Sequence, residues 1–592
     1  MVSVSEVLTE LVIKAADSAG YAGVIADPEP VMPASNPKFG DYQSNHAFRI
    51  GRAMKGNPRA VAEAVCGALA SHDGVNKVEV AGPGFINFHL NDAWLIKKLA
   101  EQTVDAHQGI PQRGSGRTVV IDYSSPNVAK RMHIGHMRST IIGNTIDRLH
   151  KAMGWKVIAD NHIGDWGTQF GKLIVAWREH LDEQRLSADA IGELERLYVL
   201  FGDMVKPGAD GLSEQQEALH ALARAETAKL QAGDAENRAL WEKFLAISRD
   251  EMDGIYARLG VHFDVTLGES FYRDALADVV ESMLETKTAK ESDGAVIVQF
   301  GDDTGVKGLN DTVLVIQKND GAFLYGTTDL ATLEYRLKTW SPDRVVYVTD
   351  GRQQLHFKQV FSAWNAWRRG RNLSTDQPEL VHMWFGTLKI GGEVLSTRKG
   401  NVIRLMELLD EANLLARRVV EEGSENVGLS DQEKNDIATA VGVGAIRYFD
   451  LSQKPQSDVN FTWDRALSLQ GNTAPFLMYS YARCRNIQRK SGLDVPQVDV
   501  VEADHPREKQ LVRQLLKFPL EVEGALEALR PNLLCDYLFE TAGALNRFYA
   551  DCRVLQADTQ SQRLSRLALV EATARVLEKG LDILGIVALE RM

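Results

Sequence analysis

Residues 118–164 constrain the fold of this chain more than any other stretch. "TVVIDYSS" (118–125) is apolar and rich in β-branched residues, the composition of a buried strand. Past a loop, Met137, Ile141, Thr145, Leu149 and Met153 recur every four residues. That spacing lays them on one helix face, and Gly154 ends the helix. "WKVIADNHIG" (155–164) reads as a second strand. Two buried strands joined through a helix run parallel, because a tight turn joins only antiparallel ones. The chain is therefore predicted to be α/β around a parallel sheet.

At 592 residues the chain exceeds what one core supports, so several domains are expected. Residues 1–112 read as a small α+β unit closing on the glycine-rich linker "GIPQRGSGR" (109–117). Residues 113–461 hold the sheet. A helical, acidic insertion over about 174–285 interrupts it. Strand-like segments then complete it: "GAVIVQF", "DTVLVIQKNDGAFLYGTTDLA" with an Asn-Asp-Gly hairpin turn, "RVVYVTDG" and "LVHMWFGTLKIGGEVLS". Residues 462–592 are almost wholly helical in pattern.

No apolar run approaches the roughly 18 residues of a membrane span. The N-terminal "MVSVSEVLTELVIKAADSAG" carries acids inside its apolar pattern, so an amphipathic helix is expected there and not a signal peptide. Cys66, Cys484, Cys535 and Cys552 form no CxxC pair, which argues against a disulfide framework or zinc knuckle and for a reducing cytoplasm. The net charge of −13 speaks against nucleic acid, yet local patches do the binding. Residues 120–156 hold six basic side chains (Lys130, Arg131, Arg138, Arg148, Lys151, Lys156) against two acids, Asp122 and Asp147.

That basic segment contains "SSPNVAKRMHIGHMRST" (124–140). Its two histidines have three readings. Either can be a hydrogen-bonded core residue. The pair can share a metal, but no third ligand stands at zincin-like spacing. Or they can meet phosphate: the motif lies between a parallel strand and a helix start, where backbone N–H groups and the helix dipole favour anions. Gly135 lets a flat base or phosphate approach the backbone, and His133 and His136 can stabilise charge on a transferring phosphoryl group. No Walker sequence is present.

"HIGH" (133–136) is the signature of class I aminoacyl-tRNA synthetases. The longer "SSPNVAKRMHIGHMRSTIIGN" resembles the arginyl-tRNA synthetase family. So do "NHIGDWGTQFGKLI" (161–174), "LYGTTDLA" (324–331), "HMWFGTL" (382–388), "STRKGNVI" (396–403) and "GNTAPFLMYSYAR" (471–483), and, near the N-terminus, "FGDYQSN" and "GPGFINFHL". The resemblance runs along nearly the whole chain. It implies a Rossmann-like catalytic domain between an N-terminal tRNA-contacting domain and a C-terminal all-α anticodon-binding domain.

The implied reaction ligates L-arginine to tRNA(Arg) in two steps. The arginine carboxylate attacks the α-phosphorus of ATP, which is used as its Mg2+ complex, and pyrophosphate leaves. The arginyl group then passes to a ribose hydroxyl at the tRNA 3′ end. Such chemistry needs donors and cations more than a nucleophile. The resemblance gives that work to His133, His136, Ser396, Arg398 and Lys399. The family's first loop lysine falls here on Val394, and Lys130 is implied as the replacement charge.

A guanidinium is a planar, permanently charged five-donor fork, so its pocket needs carboxylates. By resemblance these are Asp122 and Asp329, with Tyr325 as wall or hydroxyl, Gln353 as a further polar contact and Asn127 on the α-groups. The alternative for Asp329 is a helix N-cap. Adenine is placed against Gly135, His382 and Met383, and Asp165 and Gln169 near the site. Expected tRNA contacts are Gln43, Asn45, Phe85 and Asn87 in the N-terminal domain and Tyr479 and Met592 in the C-terminal one. Tyr481, Phe548 and Tyr549 are either stacking platforms or core. No resident protein metal, no membrane and a cytoplasmic monomer are expected. Cysteine- and glutamate-specific relatives would want zinc ligands, or basic residues where Asp122 and Asp329 stand. A silent RNA-binding paralogue would have lost the histidines.

Overall fold

A computed structural model describes residues 2–25, 28–207, 211–390, 393–394, 404–424, 428–493 and 502–592. The N-terminal unit packs α1 (Val4–Ala16), α2 (His46–Ala53), α3 (Pro58–Ala68) and α4 (Asp92–Val104) with an antiparallel sheet. Its strands β1 (Met32–Pro33), β2 (Tyr42–Ser44), β3 (Val75–Ala81) and β4 (Phe85–Leu90) lie in the order β1-β2-β4-β3. Ser3 and Glu6 cap α1 reciprocally, and Val4, Leu8 and Val12 bury its apolar face.

The expected strand–helix–strand unit follows as β5 (Thr118–Asp122), α5 (Ile134–Ala152) and β6 (Lys156–Asp160). Met137, Ile141, Thr145, Leu149 and Met153 are all buried, and Gly154 turns the chain at φ 86°. The helix is buried on its other sides as well, through Ile142, Ile146, Arg138 and Asp147. The helical insertion runs through α6 (Thr168–His180), α7 (Glu183–Ala188), α8 (Ala190–Met204), α9 (Glu214–Gln231), α10 (Ala235–Leu259) and α11 (Leu276–Glu285).

The strands after the insertion divide differently from expectation. β7 (Lys290–Ser292), β8 (Ala295–Gln299) and β9 (Val313–Gln317) form a separate antiparallel sheet and do not complete the parallel one. After β9 the chain turns, makes one bridge from Gln317 to Phe323, and enters α12 (Tyr325–Trp340). "YGTTDLA" is thus helix, because Leu324 is the extended residue before its first turn. Asp329 lies one turn inside, so the N-cap alternative is withdrawn.

The parallel sheet is completed by β10 (Arg344–Asp350), which leads into α13 (Gln354–Gly370), and by β11 (Glu379–Phe385). The order is β11-β10-β5-β6, all parallel, so the C-terminal ends of all four strands open on one edge. The stretch expected as one strand from residue 380 breaks into β11, β12 (Leu388–Ile390) and β13 (Glu393–Val394). The last two sit in another small sheet with β14 (Val459–Phe461).

Helices then dominate: α14 (Leu405–Ser424), α15 (Asp431–Leu451), the one-turn α16 (Trp463–Ala466), α17 (Ala474–Ser491), α18 (Pro506–Leu515), α19 (Phe518–Glu527), α20 (Pro531–Asp551) and α21 (Gln560–Ile583). This bundle touches the N-terminal unit. Arg513 binds both Asp41 and Asp92, and Gln102 donates to the Leu515 carbonyl.

Candidate active site

The two histidines of the opening motif form a capping box at the start of α5. The Gly135 N–H donates to His133 Nδ1 at 3.0 Å, and the His133 N–H donates to His136 Nδ1 at 3.1 Å. The rings stack with centroids 4.0 Å apart. An Nδ1 that accepts carries no proton, so the neutral tautomer has its N–H on Nε2. Burial, then the neighbouring His133 and Lys130, push His136 down to about 3; burial and Lys130 lower His133. At neutral pH both rings are therefore uncharged donors. A Cβ on Gly135 would stand 2.7 Å from the His133 ring, so the fold-back that caps the helix needs glycine here.

Lys130 is exposed, with its ammonium over the Tyr198 ring at 4.2 Å. It is the cation that both histidines feel. Ser396, Arg398 and Lys399 lie outside the described residues. The chain re-enters beside the motif: Arg404 pairs with His133 as an isolated bridge, and the Leu405 N–H donates to the Met132 carbonyl at 3.0 Å.

The acidic candidates begin on α12. Asp329 follows Tyr325 by one turn, so both face the same way. Asp329 Oδ2 is 2.6 Å from His356 Nε2. Burial, Asp165 and Asp329 raise the Glu269 carboxyl to about 8. Burial, Glu269 and Tyr198 raise the Tyr325 hydroxyl, although its side chain reaches well into solvent. Tyr198 thus lies under the Lys130 ammonium and is also among the groups that act on Tyr325 through space. Asp165 is buried and accepts from the Ser270 N–H and hydroxyl, which fixes the Glu269 turn.

Asp122 departs from expectation. It is 5% exposed, and its carboxylate is committed to an internal guanidinium: Arg336 Nη2 lies 2.6 Å from Asp122 and 2.8 Å from Asp160. Its other oxygen accepts from the Ser125 hydroxyl at 2.8 Å. Asp122 therefore backs the pocket and does not open into it. Asn127 is exposed and bridges Gly164, where a Cβ would stand 2.0 Å from Asn127 Oδ1. Gln353 is exposed at the end of the turn preceding α13. Gln169 is half-buried, its amide donating to the Trp166 carbonyl at 3.4 Å, one residue from Asp165.

On β11, His382 shares a hydrogen bond with the Thr349 hydroxyl at 2.8 Å, and burial with His356 lowers it to about 4. The Met383 side chain is buried in the core. Only main chain at that position can meet a ligand, and β11 is an edge strand.

Among the expected RNA contacts, Asn87 is corrected. It is fully buried within its sheet, its carbonyl oxygen accepting from Gln43 at 2.8 Å, so RNA cannot reach it. Gln43 and Phe85 are half-buried, Asn45 is exposed, and Met592 is half-buried at the chain end. Tyr481 and Phe548 are core, since the inner face of the bundle claims them. Tyr479 and Tyr549 are exposed, and the Arg483 guanidinium lies 5.1 and 5.8 Å from their rings.

Sequence reasoning missed Glu269, Arg336, Tyr198 and His356. His356 was within reach, because it stands three residues past Gln353, which was singled out. The other three sit in helices whose pattern carries no chemical signature.

Comparison with known proteins adds three family matches. Residues 98–463 match "tRNA synthetases class I (R), catalytic domain", residues 477–592 the "DALR anticodon binding domain", and residues 4–90 the "Arginyl tRNA synthetase N terminal domain". The chain is 45% identical over 571 residues to the arginine–tRNA ligase of Fusobacterium nucleatum, covering 95% of each. It is 39% identical over 597 residues to that of Pseudomonas savastanoi, covering 100% of this chain and 99% of the relative. The crystal structure of arginyl-tRNA synthetase from Plasmodium falciparum superposes with a TM-score of 0.81 at 27% identity, covering all of both chains. The Thermus thermophilus structure shares the fold at a TM-score of 0.84 and 24% identity, again over 100% of each chain.

Proposed function

The chain belongs to the arginyl-tRNA synthetases of class I, and from that premise we propose which of its residues perform the ligation of arginine to tRNA. It is an arginine–tRNA ligase, and its class I catalytic domain uses ATP. The observation that supports the site assignment is Tyr198, whose ring carries the Lys130 ammonium at 4.2 Å and which acts on Tyr325, the residue one turn before Asp329; on this reading the acidic group (Asp329, Glu269) and the donor group (His133, His136, Lys130) serve one site.

Arginine enters with its guanidinium on Asp329 and against Tyr325. Asp122 acts from beneath, as the buried anion that Arg336 locks. Asn127, exposed in the loop after β5, receives the arginine α-groups, and Gln353, exposed on the turn before α13, adds a further polar contact. ATP, arriving with Mg2+ as its counter-ion, lays adenine against Gly135 and the main chain at His382 and Met383 on the β11 edge.

Charge grows on the phosphate oxygens as the arginine carboxylate attacks, giving arginyl-adenylate and pyrophosphate. His133 and His136 meet that charge as neutral, pre-oriented Nε2–H donors, which costs no reorganisation at the moment of reaction. Cationic charge must come from elsewhere. Lys130 supplies part, standing in for the loop lysine that Val394 replaces. Ser396, Arg398 and Lys399 supply the rest. Lys399 is five positions before Arg404, the residue that bridges His133, a reach of at most about 18 Å.

The division of labour follows 1–112 for the N-terminal tRNA contacts (Gln43, Asn45, Phe85), 113–461 for catalysis with the 174–285 insertion, and 462–592 for the anticodon, with Tyr479 and Met592 on its surface. The protein works in the cytoplasm as a monomer. ATP–pyrophosphate exchange driven by arginine, with and without tRNA, tests the reading. Exchange in the wild type, lost in Asp329→Ala with ATP binding intact, is the expected result. Folded protein that exchanges under neither condition would instead be a binding module.

A further inference from the structure

Asp329 is not an unpartnered anion awaiting substrate. His356, on the first turn of α13, holds it through a 2.6 Å contact, with side chains 30% and 18% exposed. The other elements around the ring offer His356 no second anion among the described residues. From β11 comes His382, an imidazole tied to Thr349. On the preceding turn the Arg352 guanidinium is bound by Asp350 at 2.8 and 2.9 Å. On α13 itself the Lys358 ammonium donates to the Lys307 carbonyl, and Phe357 meets the ring edge-on. β9, which packs on α13, carries no ionisable residue. Asp329 also acts through space on the Glu269 carboxyl.

Resting on the assignment of Asp329 to the arginine guanidinium, we propose that His356 is a positioning residue of the amino-acid pocket: it holds the empty carboxylate as an imidazolium and sheds one proton when arginine docks. Two cations that share one carboxylate repel each other across a few ångströms of poorly solvated crevice. A guanidinium cannot lose its charge, whereas an imidazolium can. The Nδ1 proton leaves for solvent, and Nε2–H stays on Asp329 as a neutral hydrogen bond that fixes its rotamer. The bond to Asp329 outweighs burial and raises His356 above the usual histidine range in the free protein.

The sign follows from linkage. Arginine lowers the ring's proton affinity, so lowering pH through the interval between the free and bound values weakens arginine binding, by at most tenfold per pH unit. Above that interval binding is independent of this group. Glu269 also sheds a proton beside a new cation, so the diagnostic is the difference between wild type and His356→Gln, which keeps a donor but cannot titrate.

The arginine KM in pyrophosphate exchange is measured from pH 6 to 9 alongside that for ATP. Histidine ring NMR of the full-length protein, titrated with and without arginine, reads the proton directly. In the wild type the arginine KM rises toward low pH, the ATP KM stays flat, and arginine shifts the His356 titration downward. In His356→Gln the rise shrinks to the share that Glu269 contributes. A His356 titration unmoved by saturating arginine overturns the proposal, as does an unchanged KM profile in His356→Gln. If that variant does not fold, the wild-type NMR titration decides alone. An arginine KM unaffected by Asp329→Asn would instead remove the site assignment itself.

Discussion

Arg138 Nε donates to Asp450 Oδ1 at 2.8 Å, and each side chain is only 1% exposed. The pair ties α5, which starts at the two histidines, to α15. The same guanidinium donates to the carbonyls of Gly386 at 2.6 Å and Ser457 at 3.2 Å, beside the β12–β14 sheet. One buried cation thus holds the helix that starts at the two histidines against the end of α15 and the loops entering β12 and β14.

Breaking that pair is costly. Arg138→Met strands the buried Asp450 carboxylate and removes the guanidinium from the Gly386 and Ser457 carbonyls, while the Pro455 carbonyl keeps the Gly386 N–H. The loss expected for one partner of a buried pair is about 3–5 kcal/mol. Urea unfolding followed by circular dichroism measures it. The double variant Arg138→Met/Asp450→Leu should recover part of the loss, since no charge is then left unpaired. A single variant within about 0.5 kcal/mol of wild type, the range of ordinary surface changes, would mean the pair carries no structural load.

The fold was legible where periodicity and chemistry agreed. β5, α5 and β6 came from an apolar run, a four-residue repeat and a glycine stop. The β7–β9 sheet did not, because short apolar runs do not say which sheet they join. At the site, the two histidines could be read directly, since a helix start after a parallel strand has a fixed orientation. Asp122 could not: a strand-end acid looks the same whether it faces substrate or an arginine 214 positions away. Asn87 failed similarly, because strand alternation leaves open which face the helices cover.

His136→Ala should slow adenylate formation by roughly 100- to 1,000-fold, the cost of removing one preorganised donor from developing charge. The KM values for arginine and ATP should change little, because the contact strengthens in the transition state. The pH profile separates a donor from an acid. With His136 near 3, that ring takes up no proton between pH 5 and 8, and His133 is displaced below the ordinary histidine value by burial and Lys130. Rapid-quench rates of adenylate formation at saturating substrates should therefore show no limb from His136. A rate limb near pH 6.5 that disappears in His136→Ala would contradict the neutral assignment.

Glu269 gives a stability prediction of defined sign. Its folded-state carboxyl is raised to about 8 by burial beside Asp165 and Asp329, so it folds most favourably when protonated. Its contribution is fully present below the unfolded value of 4.5 and is lost as pH rises through 8. Glu269→Gln should therefore match wild type near pH 4.5 and exceed it in Tm by a widening margin up to pH 8. Differential scanning calorimetry across that range checks the trend. A margin that narrows with rising pH would show Glu269 ionised and paired in the folded protein.

The anticodon-side bundle offers one exposed patch with the chemistry of base stacking. Tyr479 and Tyr549 flank the Arg483 guanidinium, while the neighbouring Tyr481 and Phe548 are spent in the core. Losing a stacking ring costs about 1–3 kcal/mol per base, which is roughly a 5- to 150-fold weakening of tRNA affinity. Tyr479→Ala should therefore raise the tRNA Kd by that order at fixed salt, without altering the ATP KM. Arg483→Ala adds a second signature. If its guanidinium also meets phosphate, the dependence of log Kd on log salt should flatten by up to about one unit of slope. Filter binding over a salt series distinguishes the two. Tyr479→Ala with wild-type affinity would place the RNA on another face of the bundle.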